Sequence, residues 1–110
     1  FCTKSNKNNC MVKHIVIFKL AQPVTPEKRN QSVMKLKEIF GPLGNRLKYI
    51  VEYRTGVNIS DVDHAGDFVI DATFASLDDL RRYQSSELHR EAVAAASIIK
   101  KAKLVVDYTF

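Results

Sequence analysis

The order of polar and apolar residues predicts an α+β fold, an antiparallel sheet with helices packed on one of its faces. Three observations carry that reading. Four short segments read as strands, and in the first three, apolar residues share one parity, the two-residue period of a strand. Two longer segments repeat their apolar residues every three or four positions, as a helix does. The two kinds of segment follow one another as β-α-β-β-α-β in a chain of 110 residues, a length suited to one domain.

The first strand spans about residues 12–20. Val12, His14, Val16, Phe18 and Leu20 share one parity of that run. Thr25 is a good N-cap and Pro26 a good first helical residue, so the first helix starts there and runs to about Phe40. Val33, Leu36, Phe40 and Leu43 draw one apolar stripe along it, and Gly41-Pro42 with Gly44 ends it. A second strand is expected from Leu47 to about Val57, with Leu47, Tyr49, Val51 and Tyr53 on one face. Asn58 to Gly66 reads as a loop, and residues 67–75 as a third strand with Phe68, Ile70, Ala72 and Phe74 inward. Ser76 caps a second helix that carries Leu77, Leu80 and Tyr83. Ser85-Ser86 breaks that helix and recaps a segment running to about Lys101, where Lys100, Lys101 and Lys103 complement the helix dipole. Leu104 to Phe110 is the last strand.

This order is the ferredoxin-like βαββαβ plan. The first strand is apolar on both parities, since Ile15 and Ile17 oppose Val16 and Phe18. Helices cover only one side of such a sheet. The other side has to meet something, and the same sheet of a second copy is the simplest cover, so a homodimer is expected.

Composition narrows the function classes. Lys and Arg number 17 against 12 Asp and Glu, a net charge of +5. Lys4 and Lys7 of the polar leader, residues 1–10, account for two of those charges, and the rest are scattered. That pattern reads as solubility rather than the clustered stripe of a nucleic-acid-binding surface. No apolar run approaches the roughly 20 residues that span a bilayer, so no membrane partner is expected. The leader, taken as flexible, holds both cysteines, Cys2 and Cys10, at a spacing that suits a small disulfide loop and equally two free thiols. The compartment stays open: cytoplasmic is slightly favoured, and the paired cysteines admit a periplasmic or secreted location. There is no Gly-rich phosphate loop, no nucleophile elbow and no calcium-loop pattern. Asp61, Asp63 and Asp67 read as turn formers.

The chemistry rests on rings. His14 is a titratable group among aliphatic neighbours, and it must be hydrogen-bonded or line a cavity. His89 lies just inside the recapped helix, and Tyr83 stands ahead of the break. If that layer packs over the sheet, Tyr83 and His89 both point down towards the first strand. His89 would then be a general base and Tyr83 a phenol donor, with His14, Val16 and Phe18 binding a ligand. His64 sits in a polar loop and reads as solvated.

The residues carrying these expectations also form a known pattern. Met11 to Leu20 resembles the opening strand of the stress-responsive A/B barrel domain family. Thr25-Pro26-Glu27, Gly56-Val57-Asn58, Asp67-Phe68-Val69-Ile70 with Phe74, Tyr83 with His89, and Val105-Val106-Asp107-Tyr108-Thr109 continue the match over residues 11–110. The resemblance implies a dimeric α/β barrel, two ferredoxin-like protomers packed sheet to sheet. Most of the family has no assigned activity. Plant polyketide cyclases within it close a chain by an aldol step with a His and a Tyr, at the positions of His89 and Tyr83 here, with His14 lining the pocket. This chain departs from the family pattern at Ser86-Glu87, where a His-Pro pair is common.

Together these readings point to a homodimeric barrel that binds a small apolar or carbonyl-containing ligand, with no cofactor or metal. They predict a cavity of a few hundred cubic ångströms, within the common range for ligand sites. Two alternatives stand beside that reading. One is a non-catalytic stress-associated dimer with structural histidines. The other is a haem-linked oxygenase of the wider dimeric-barrel group, with a lone histidine as axial ligand.

Overall fold

Strand β1 (Val12–Leu20) is the central ladder of the sheet, paired on both edges. The computed structural model describes residues 10–21 and 25–110. After β1 come α1 (Pro26–Phe40), α2 (Leu43–Arg46), β2 (Ile50–Val57), β3 (Phe68–Phe74), α3 (Leu77–Ser85), α4 (Glu87–Ala96) and β4 (Lys100–Thr109). The strands lie in the order β2-β3-β1-β4 and every pairing is antiparallel. This is the ferredoxin-like arrangement, with the helices on one face.

Burial along β1 alternates strictly, with Val12, His14, Val16, Phe18 and Leu20 turned into the core. Phe68, Ile70, Ala72 and Phe74 of β3 line up beside them. Val33, Leu36 and Phe40 of α1, Leu80 and Tyr83 of α3, and Ala92 and Ala96 of α4 close the layer from above. Thr25 caps α1 as its sequence position implies: its hydroxyl accepts the Lys28 N–H at 3.2 Å, and Pro26 follows it.

Three boundaries differ from the sequence reading. The run after α1 is not a simple stop, because Leu43–Arg46 forms a further short helix. Gly44 lets that helix sit on β2: a Cβ at this position would lie 2.7 Å from Cβ of Tyr53. Strand β2 accordingly begins at Ile50 rather than Leu47, with a bulge between Ile50 and Glu52. The bulge reverses parity, so Ile50 and Tyr53 both pack against the core while Val51 is exposed. The third difference is at α4, which ends at Ala96 rather than near Lys101. Pairing the full length of β1, from Val12↔Thr109 to Leu20↔Lys100, draws Lys100–Lys103 into β4. The three lysines therefore stand on a strand and complement no helix end.

Helices leave the other face of the sheet bare. Leu104, Val106 and Tyr108 of β4 are 71%, 56% and 46% exposed there, and Val105 on the opposite parity is 44% exposed. Edge strand β4 is thus uncovered on both sides. Of the leader, only Cys10 is among the described residues; it is buried and disulfide-bonded. Cys2 and the rest of residues 1–9 lie outside them.

Asp67 is not a turn former. It is buried, and its carboxylate accepts the Leu20 N–H at 2.9 Å and the Arg29 Nε–H at 3.2 Å. Arg29 also donates to the Asn58 carbonyl, and Lys19 to the Ala65 carbonyl, so both ends of the 58–66 loop are tied to β1 and α1. Asp67→Ala strands these donors. It is expected to cost about 1–3 kcal/mol in urea unfolding, whereas Asp61→Ala in the same loop, which is exposed, should leave the midpoint unchanged.

Candidate functional site

One serine joins the two helices that build the site. Ser86 closes α3 and opens α4, in the extended conformation that an N-cap takes. Its hydroxyl donates to the Tyr83 carbonyl at 2.7 Å and accepts the His89 N–H at 3.2 Å. Tyr83 and His89 are therefore held relative to each other by a single side chain. Their rings meet edge to face with centroids 4.6 Å apart. Glu87 follows in the first turn of α4, where a negative charge suits the dipole.

Below them the Tyr83 ring lies 6.0 Å from that of His14 on β1. A cavity of about 70 Å³ opens among these rings. Its walls include Val16 and Phe18 of β1, Phe40 of α1, Ile70 of β3 and Val105 of β4. All five side chains expected from the sequence to form the site, His14, Val16, Phe18, Tyr83 and His89, line this one space. The volume falls short of the few hundred cubic ångströms expected, because Phe40, Ile70 and Tyr83 fill much of the layer. It holds a few waters or a compact ligand group, and it does not fit a porphyrin.

The imidazoles are oriented by their Nδ1 atoms. Nδ1 of His89 lies 3.1 Å from the Gln84 carbonyl oxygen. A carbonyl only accepts, so Nδ1 carries the proton and Nε2 holds the lone pair. Nδ1 of His14 lies 2.5 Å from Oδ1 of Asp107, directly across the β1–β4 ladder. Nε2 of neither ring bonds to another described residue. Burial pushes the His89 imidazole below its ordinary value of 6.5; the bond to Gln84 opposes this, and His14 and Lys103 add to it. Burial also raises the phenols of Tyr83 and Tyr53, whose hydroxyls stand 3.5 Å apart. Near neutral pH the site thus offers a neutral imidazole that can take a proton and phenols that can only donate or accept hydrogen bonds.

Two functional contacts are missing from the sequence reading. Asp107 was legible in principle, since pairing the end of the last strand with the start of the first puts it opposite His14. Tyr53 stands on the face expected of it, but its contact with Tyr83 depends on how α3 packs over the sheet, which has no sequence signal. The loop residue His64 is exposed, away from the rings.

The family model described as "Stress responsive A/B Barrel Domain" matches residues 12–110. The chain belongs to this family. An uncharacterized protein of Streptomyces coelicolor is 32% identical over 84 residues, covering 76% of this chain and 84% of its own. Among solved structures, a dimeric ferredoxin-like protein of unknown function from Bacteroides fragilis is 29% identical with a TM-score of 0.80, over 91% of this chain and 96% of that one. Hydroxynitrile lyase from Passiflora edulis shares the A/B barrel protomer fold at 17% identity with a TM-score of 0.74, over 91% and 93%.

Two measurements check the site. Ser86→Ala removes the shared cap and is expected to cost about 1 kcal/mol, read as a lower thermal midpoint. For His89 the sign follows from its depressed pKa. The unfolded chain binds a proton near 6.5 while the folded one resists it, so stability falls as pH drops below 6.5 and through the lower folded value. Thermal midpoints measured in this window should fall less steeply in His89→Gln than in the parent chain.

Proposed function

We propose that the chain forms a homodimer through its bare sheet face, and that each protomer binds a small carbonyl- or phenol-bearing ligand in the ring-lined cavity. The convergence of two imidazoles and a phenol on a largely apolar space carries this reading. His89 acts as general base through Nε2, taking a proton from a carbon next to a carbonyl or from a hydroxyl. The Tyr83 hydroxyl donates a hydrogen bond to the oxygen on which negative charge develops. His14, oriented by Asp107, completes the polar wall. The hydroxynitrile lyase supports the reading at the level of fold, since it shows an enzyme on this scaffold.

The dimer follows from the uncovered apolar residues of β4 together with Ile15 and Ile17 of β1, an aggregation hazard if left in water. The Bacteroides fragilis protein is described as dimeric, which supports the same assembly here. Val106→Asp, which places a charge on this face, is expected to yield monomer in sedimentation velocity.

The small volume favours one other reading, a non-catalytic dimer whose rings are packing elements. Titration with phenol, followed through the imidazole NMR signals, separates the two. The enzyme-like reading predicts saturable shifts at His14 and His89, and at least roughly tenfold weaker binding in His89→Ala with the dimer intact. Unmoved signals, together with a His14→Leu variant as stable as the parent, would establish the packing role instead.

A further inference from the structure

The β4 wall of the cavity has a charge character that the rings alone do not explain. Its lining includes Lys100, Lys103, His14 and His89, and not one carboxylate. Asp107, the acid on the same parity of β4, is committed to His14. Neither lysine makes an ion pair or a side-chain hydrogen bond among the described residues, although Lys13, Lys19, Arg29 and Arg54 all do. Lys103 pairs with Phe18 and Lys100 with Leu20 across the ladder, so both emerge on the side of the sheet that holds the cavity. Lys103, Gln84 and Val105 are exposed, which places the mouth at this edge.

Two unneutralised ammonium groups beside a largely apolar, partly enclosed space form a recognition element for an anion attached to an apolar body. We propose that the ligand carries a carboxylate or similar anionic group, held at the mouth by Lys100 and Lys103 while its apolar part enters between Phe18, Val105 and the rings. This inference rests on the cavity being a ligand site, and it adds the class of ligand. The anion compensates the positive wall, and it leaves the carbonyl or hydroxyl end of the molecule facing Tyr83 and His89. Lys103 lies close enough to His89 to disfavour its protonated form, so an anion at Lys103 also strengthens His89 as a base.

Calorimetric titration of the full chain with benzoate and with neutral benzamide tests this. Benzoate is expected to bind at least about tenfold tighter than benzamide, with the advantage shrinking as salt is raised. In the double variant Lys100→Gln/Lys103→Gln the advantage of benzoate over benzamide disappears, and an advantage kept at its parent value overturns the assignment to these lysines. Lys37→Gln on α1, which is exposed and outside the cavity lining, serves as a control for net charge and retains the advantage. Equal affinities for the two probes in the parent chain overturn the anion inference and leave the cavity reading standing. Binding of neither probe overturns both.

Discussion

An imidazole that is 3% exposed on the core face of a central strand has to be paired, and the register of β1 against β4 supplies the partner. His14 and Asp107 are cross-strand neighbours, and their bond ties the core imidazole to an edge strand. Shifting that ladder by one residue would turn Asp107 to the bare face and leave His14 without its acceptor. The same register carries Val105, Lys103 and Lys100 to the cavity and sends Leu104, Val106 and Tyr108 to the opposite side. Cavity and bare face are therefore consequences of one pairing.

The helical layer meets this constraint from above through Ser86. A chain that ends one helix and begins another without an intervening loop must satisfy orphan groups of both, and one hydroxyl does so. Ser86-Glu87 builds this junction from a capping oxygen and a dipole-compensating acid. Burial then divides the roles of the rings. It lowers the affinity of His89 for a proton and raises that of Tyr83 for its own, so base and hydrogen-bond donor are distinct near neutral pH.

Much of this was legible in the residues. The alternation of β1, the Thr25-Pro26 start of α1 and the Ser85-Ser86 break are local signals, and the structure follows them. The two-sided apolarity of β1 is likewise a local signal, and it implies an apolar face beyond the reach of the helices. What escaped was set by tertiary pairing. Lys-Lys-Ala-Lys is good helical sequence, yet it becomes strand because β1 needs a partner along its full length. Ile50 turns inward and Val51 outward through a bulge that polarity does not announce. Asp67 looks like a loop residue and is a buried anchor, because its bonds run to β1 and α1, far away in sequence. The cavity's volume was illegible for the same reason, since it is what side chains from six elements leave unfilled.

The account of the site turns on where the proton sits on one ring. The Gln84 carbonyl assigns it to Nδ1 of His89 and frees Nε2 for chemistry. Long-range proton–nitrogen NMR correlation of the histidine side chains at about pH 7.5, above the ordinary imidazole range, reads this directly. The expected spectrum shows His89 with Nδ1 protonated and Nε2 bare. A spectrum with the proton on Nε2 would contradict the account, since the ring would then have no lone pair to offer a ligand from that atom.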